Sequence, residues 1–211
     1  MVRPRSRRDG VRIFARAVFL ALLASCIGCG TVRTAAVPAA GAESAAAGAA
    51  PSEEERELYE LFLAYRADHR LPAVPLSRSL TTVARMHAAD LQRNGFDAKC
   101  NIHSWSSHGP WTACCYRPDH SDPGCMWNKP RELTPYKGSG FEIGYWTSAT
   151  ARPRTIMKVW KSSATHSDVM LNRKRWRGED WKAVGIGVHG GYAVLWLGLE
   201  EDPAGYWSRG R

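Results

Sequence analysis

The chain has 211 residues, enough for one domain plus extensions, and a formal net charge of +9. Residues 1–25 hold six Arg and one Asp, so without them the charge falls from +9 to +4. What remains carries both signs interspersed, which excludes reading the high charge as a nucleic-acid footprint.

Arg3, Arg5, Arg7, Arg8, Arg12 and Arg16 precede the apolar run "AVFLALLAS". A basic start, a short apolar core and small residues after it describe a secretory signal over residues 1–25. The run is well short of the roughly 20 residues a membrane-spanning helix needs. Leu23-Ala24-Ser25-Cys26 looks like a bacterial lipobox, which makes Cys26 the expected lipidated residue and the membrane the expected partner. Cys29 is the weaker candidate, because Cys26 would then occupy the position where Leu is usual. Residues 26–51 are rich in Ala, Gly and Pro. They read as a flexible tether, reaching on the order of 28 Å.

The folded domain is expected over residues 52–201. In "PSEEERELYELFLAYRADHRL", Ser52 caps a helix and Glu55 completes a capping box. Leu58, Leu61, Phe62 and Tyr65 recur at helical spacing. A second helix starts at Ser77 and ends at Gly95, with Leu80, Val83, Ala84, His87, Ala88 and Leu91 as its apolar stripe. His87 on that stripe reads as a hydrogen-bonded core residue. Residues 96–140 are irregular and hold most of the cysteines. "GFEIGYW" predicts a short strand or turn. "RTIMKVWKSSATHSDVML" predicts one or two helical segments, with Ile156, Val159 and Trp160 on the apolar face. "KAVGIGV" and "YAVLWLG" around "HGG" predict an antiparallel hairpin. Residues 202–211 read as a polar tail.

Within the hairpin, "GIGVHG" matches the dinucleotide pattern G-x-G-x-x-G, but that motif needs a helix after it and a strand follows instead. Cys100, Cys114, Cys115 and Cys125 lie within 26 residues. An even number in an exported chain reads as two disulfides rather than a zinc ribbon. A vicinal 114–115 bridge would be strained, so each of those two is expected to pair with Cys100 or Cys125.

Taken in order, "NIHSW" (His103), "GFEIGYW" (Glu142), "WKSSATHSDVML" (His166) and "VGIGV…YAVLWLG" resemble the CAP superfamily of cysteine-rich secretory, antigen-5 and pathogenesis-related proteins. The resemblance covers about residues 53–199. It implies an α+β fold, a three-layer α-β-α sandwich with a central antiparallel sheet, here carrying a disulfide-stapled insertion. It also implies a cleft holding His103, Glu142 and His166, with His108, His120 and His189 as bystanders. Two His and one Glu with an open fourth position suit Zn²⁺ or another divalent cation. Two departures stand out. Ile143 replaces the Asn usual after the Glu, and "RTIMKVWK" supplies no second acid.

Three roles for His103, Glu142 and His166 stay open at this level: a buried hydrogen-bond network ordering three loops, a metal site, and metal catalysis. No nucleophile is evident, so a binding or effector module is expected before an enzyme. The expected ligand is a lipid or a cell-envelope component, and the chain is expected to act as an exported, surface-anchored monomer. The alternative is a metal-dependent hydrolase acting on envelope polymers or peptides. Trp105, Trp111, Trp127, Trp146, Trp160, Trp176 and Trp181 lie around the predicted cleft and suit either reading.

Overall fold

The computed structural model describes residues 48–121 and 123–208. The expected signal segment, Cys26, Cys29, most of the tether and residues 209–211 lie outside the described residues.

Helix α1 spans Glu53–Asp68 and opens with the expected capping box. The Ser52 hydroxyl accepts from the Glu55 N–H at 3.2 Å, and the Glu55 carboxylate accepts from the Ser52 N–H at 2.8 Å. Its buried stripe is Leu58, Tyr59, Phe62, Leu63 and Arg66. Leu61 and Tyr65, expected inward, are half-buried at its margin. The stripe is rotated because α1 packs against both a later helix and the sheet, and not against one flat surface. Each fully buried Leu or Phe contributes about 1.5–3 kcal/mol.

Helix α2 spans Arg78–Asn94, capped by the Ser77 hydroxyl on the Leu80 N–H at 2.9 Å and ended at Gly95. It buries Leu80, Val83, Ala84, His87, Ala88 and Leu91, as its spacing predicts.

Three strands follow: β1 (Gly140–Trp146), β2 (Ala183–His189) and β3 (Tyr192–Gly198). They form an antiparallel sheet in the order β1-β3-β2. The central strand β3 is apolar throughout because both its faces are covered. Leu195 and Leu197 enter the core under α1, whereas Val194 and Trp196 enter the core under α2. This is the expected three-layer α-β-α sandwich.

The glycines of "GIGV" have a packing role. A Cβ on Gly185 would lie 2.1 Å from the Leu80 carbonyl carbon, and one on Gly187 2.4 Å from that of Ala84. Helix α2 therefore rests its backbone directly on β2, an approach only a residue without a side chain allows.

The segment between the helix pair and the sheet contains two short helices, α3 (Gly124–Trp127) and α4 (Lys129–Leu133). Cys100 pairs with Cys115 and Cys114 with Cys125, so the adjacent cysteines are bridged in opposite directions. Backbone rungs reinforce the staple, with Trp105 and Cys114 exchanging N–H···O bonds of 2.8 and 3.0 Å. After β1 come α5 (Pro153–Ser162) and α6 (Ala164–Met170). Helix α5 buries Ile156, Met157 and Trp160. Val159, expected inward, is exposed, because Met157 takes the inner position.

Residues on either side of 52–201 contact the folded elements. Arg85 donates to the carbonyls of Ala49 and Ala50 at 2.7 and 3.0 Å. Residues 202–207, read as a polar tail, pack onto the domain. Asp202 is buried and accepts from the Ser77 and Ser79 hydroxyls at 2.5 and 2.6 Å and from the Ser79 N–H at 2.7 Å. The Trp207 N–H donates to the Leu76 carbonyl at 2.8 Å. Polar residues here are anchors, since a buried carboxylate is retained only where donors surround it.

Candidate functional site: a carboxylate between histidines

Glu142 stands on β1 opposite Trp196 of β3. Strand alternation turns Glu142 toward the α2 layer while Ile143 enters the opposite core. Ile143, which replaces the usual Asn, therefore serves the α1 core and not the site.

Both oxygens of Glu142 are engaged by imidazoles. His103 Nδ1 lies 2.8 Å from Oε1, and His87 Nδ1 lies 2.5 Å from Oε2. Burial alone would raise this carboxyl, but the two imidazoles outweigh burial and hold it below the usual carboxylate range. His103 arrives on the stapled loop, where Asn101 Oδ1 accepts its N–H at 2.9 Å. When the ring is neutral, donation from its Nδ1 to Glu142 leaves Nε2 with the lone pair.

His87 is the residue that sequence reasoning placed in the core as hydrogen-bonded, with its partner unnamed. It is indeed fully buried and hydrogen-bonded. Its Nε2 lies 3.0 Å from the Ser104 carbonyl, which only accepts, so that nitrogen carries a proton. Trp105 stacks on the ring with centroids 4.4 Å apart and planes 7° from parallel. The signal was available: a histidine on an apolar stripe demands a polar partner. Glu142, alone among apolar strand residues, was the matching demand.

His166 lies on α6, whose Ser163 cap accepts the His166 N–H at 3.5 Å. Its Nδ1 is buried and has no hydrogen-bond partner. Burial, then repulsion from nearby His103, lowers its pKa to about 4. The ring is therefore neutral at pH 7, with a lone pair available. His103 and Glu142 are thus joined directly, and His166 lies within electrostatic reach of His103. His108 is exposed on the same loop, and His120 contacts Tyr116. Neither bonds Glu142.

Among the described residues no three His, Cys, Asp or Glu side chains are arranged to hold a metal ion. Glu142 has both oxygens occupied by imidazole nitrogens. The side chains here of the type that a borderline cation such as Zn²⁺ takes are the imidazoles of His103 and His166. Glu142 fits the outer position, where a carboxylate fixes the tautomer and orientation of a ligating histidine.

A comparison with curated proteins returns no match. Among solved structures, the chain is similar to an extracellular protein containing an SCP domain from Bacillus anthracis str. Ames. Identity there is 14% and the TM-score 0.48, over 70% of this chain and 40% of that one. It is also similar to an outer surface protein from Borrelia burgdorferi, with 14% identity and a TM-score of 0.49, over 72% of this chain and 97% of that one. A third likeness is to a cysteine-rich secretory protein from Staphylococcus aureus subsp. aureus Mu50. Identity is 16% and the TM-score 0.46, over 71% of this chain and 40% of that one. The chain thus spans less than half the length of the first and third. At such identity these likenesses say nothing of ligand or activity. The family model of the cysteine-rich secretory proteins, CAP, matches residues 59–193, which is more than half of the chain. With the order of its helices and strands, that match establishes that the chain belongs to the cysteine-rich secretory protein (CAP) family.

Proposed function

We propose that this chain is an exported binding module, tethered to a membrane through lipidated Cys26, whose cleft takes a divalent cation between His103 and His166. Glu142 and His87 serve as orienting groups behind His103, and the cation presents an open position to a lipid or envelope-derived ligand. The observation that carries this reading is the unpartnered, buried Nδ1 of His166 beside His103. An orphaned buried nitrogen costs about 1–3 kcal/mol, a cost that a bound cation removes. The two disulfides are consistent with an extracytoplasmic location.

Binding is favoured over hydrolysis by the state of Glu142. With both oxygens held by histidines, it is not free to serve as a general base. Titration calorimetry of the full chain with Zn²⁺ tests the site. Saturable 1:1 binding is expected, weakened at least tenfold by His166→Ala and unchanged by His108→Ala. Equal affinity in the His166→Ala protein would remove the proposal. Cys26→Ser is expected to release the protein from the membrane fraction. A mature N-terminus other than Cys26 would refute the anchor while leaving the cleft reading intact.

A further inference from the structure

The face of β1 that carries Glu142 also carries Gly144 and Trp146, because side chains alternate along a strand. At the rise of an extended strand, Trp146 stands about 13 Å from Glu142 along that one surface. The stapled loop fills the space between them. Ile102, the neighbour of His103, lies over Gly144, where a Cβ would meet its side chain at 3.3 Å. His103, Ile102 and Trp146 therefore follow one another along the strand, from the histidine cleft to the end of the sheet.

Trp146 is 58% exposed, more than any other large apolar residue described, and belongs to neither core. Tyr192 is its register partner on β3, and the two rings lie 6.5 Å apart at 44°. His189 is paired with Tyr192 from the other side, so the row crosses all three strands. Tyr192 is half-buried and His189 exposed. Among the described residues neither side chain makes a hydrogen bond, which leaves a hydroxyl and an imidazole open beside the indole. An open aromatic face with a polar edge matches a sugar ring. The C–H face of the sugar packs on the indole, and its hydroxyls bond the groups at the rim.

We infer that Trp146 and Tyr192 form a stacking shelf for a pyranose unit of a neutral glycan, whose other end reaches the histidine cleft. Three observations choose this occupant. The shelf is open, whereas an acyl chain takes an enclosed apolar cavity. Its side chains include no carboxylate, ammonium or guanidinium group to pair with a charged polymer. One exposed indole beside a half-buried Tyr is also far smaller than the roughly 800 Å² per partner that a stable protein interface buries. The inference rests on the reading of the cleft as a ligand site, and not on the cation within it.

The test is titration calorimetry of the full chain with N-acetylchitohexaose, an uncharged β-1,4-linked chain with flat apolar ring faces. Saturable binding is expected both in chelator and with Zn²⁺. Trp146→Ala should weaken it about tenfold or more under both conditions, and Trp146→Phe by less than about threefold. Val159→Ala, at another exposed apolar position, should leave it unchanged. Trp146 lies outside both cores, so thermal melts of its variants should match the parent. No binding of the hexamer, or binding indifferent to Trp146→Ala, would overturn the assignment. Trp146-dependent association with phosphatidylcholine vesicles or with a second copy of the chain, without sugar binding, would do the same. Sugar binding without any Zn²⁺ binding would support the shelf while removing the cation. Zn²⁺ binding without sugar binding would remove the shelf alone.

Discussion

His87 Nδ1 lies 2.5 Å from Glu142 Oε2, with both side chains fully enclosed. This pair joins the second helix to the edge strand of the sheet and, through the other carboxylate oxygen, to the stapled loop. Removing one member leaves a buried charge with half its partners. His87→Leu is therefore expected to destabilise the fold by about 3–5 kcal/mol. Urea unfolding followed by circular dichroism should show a lower midpoint with an unchanged slope. A loss below about 1 kcal/mol would show that the pair contributes little.

Two groups of the site with lowered pKa values contribute to the pH dependence of stability. His166 is lowered to about 4, so between the ordinary histidine range near 6.5 and about 4 the unfolded chain binds a proton that the folded chain does not. Stability therefore falls as pH drops through that window, by at most about 1.4 kcal/mol per unit from this group. Partial exposure of the ring makes the loss smaller. Glu142 is also lowered, so its contribution is present above the usual carboxylate range and is lost as pH falls below it. His166→Gln should flatten the profile between about pH 6.5 and 4 and leave the steeper acid loss in place. Urea midpoints measured at half-unit intervals will read both.

Gly185 and Gly187 carry the weight of the second helix. Gly185→Ala forces a Cβ to within 2.1 Å of backbone, where no side chain can yield. The expected cost is about 1–3 kcal/mol or more. Gly144→Ala is the contrast, since its Cβ would meet the half-buried Ile102 side chain at 3.3 Å. Thermal melts should separate the two, and similar melting temperatures would contradict the close-approach account.

Cys115 is exposed, whereas Cys114 is buried. Mild reduction should therefore open the Cys100–Cys115 bridge first. Closing its 15-residue separation is worth about 3 kcal/mol in the chain-entropy view. Hydrogen exchange should rise over residues 97–117 and remain slow in the first two helices. Alkylation of Cys114 and Cys125 ahead of Cys100 and Cys115 would reverse the expected order.

Asp202→Ala should release residues 202–207 from the start of the second helix. Four donors then lose their acceptor: Ser77 Oγ, Ser79 N, Ser79 Oγ and Ala204 N. A loss of about 1–3 kcal/mol is expected, with earlier proteolytic clipping after residue 201. Clipping unchanged from the parent protein would mean that the bonds of Gly205 to Arg78 and of Trp207 to Leu76 hold the segment without Asp202.

Local chemistry was enough to locate much of this molecule. The capping box at Ser52 and Glu55, the stripe of the second helix and the terminal hairpin each depend on residues a few positions apart, so they are written in the sequence. The unbroken apolar run of the third strand announced burial on both faces. Four cysteines in one loop announced two bridges, and the order of the His103, Glu142 and His166 segments announced the family. Other features depend on partners far away along the chain. The buried face of the first helix turned toward Tyr59 and Leu63 because two different surfaces cover it. Asp202 became an anchor only because Ser77 and Ser79 lie beside it. His87 read as a hydrogen-bonded core histidine, but only the sheet placed its partner Glu142 beside it, 55 residues away in sequence. Hydrophobic periodicity shows that a polar side chain is buried, but which partner satisfies it is decided by tertiary packing.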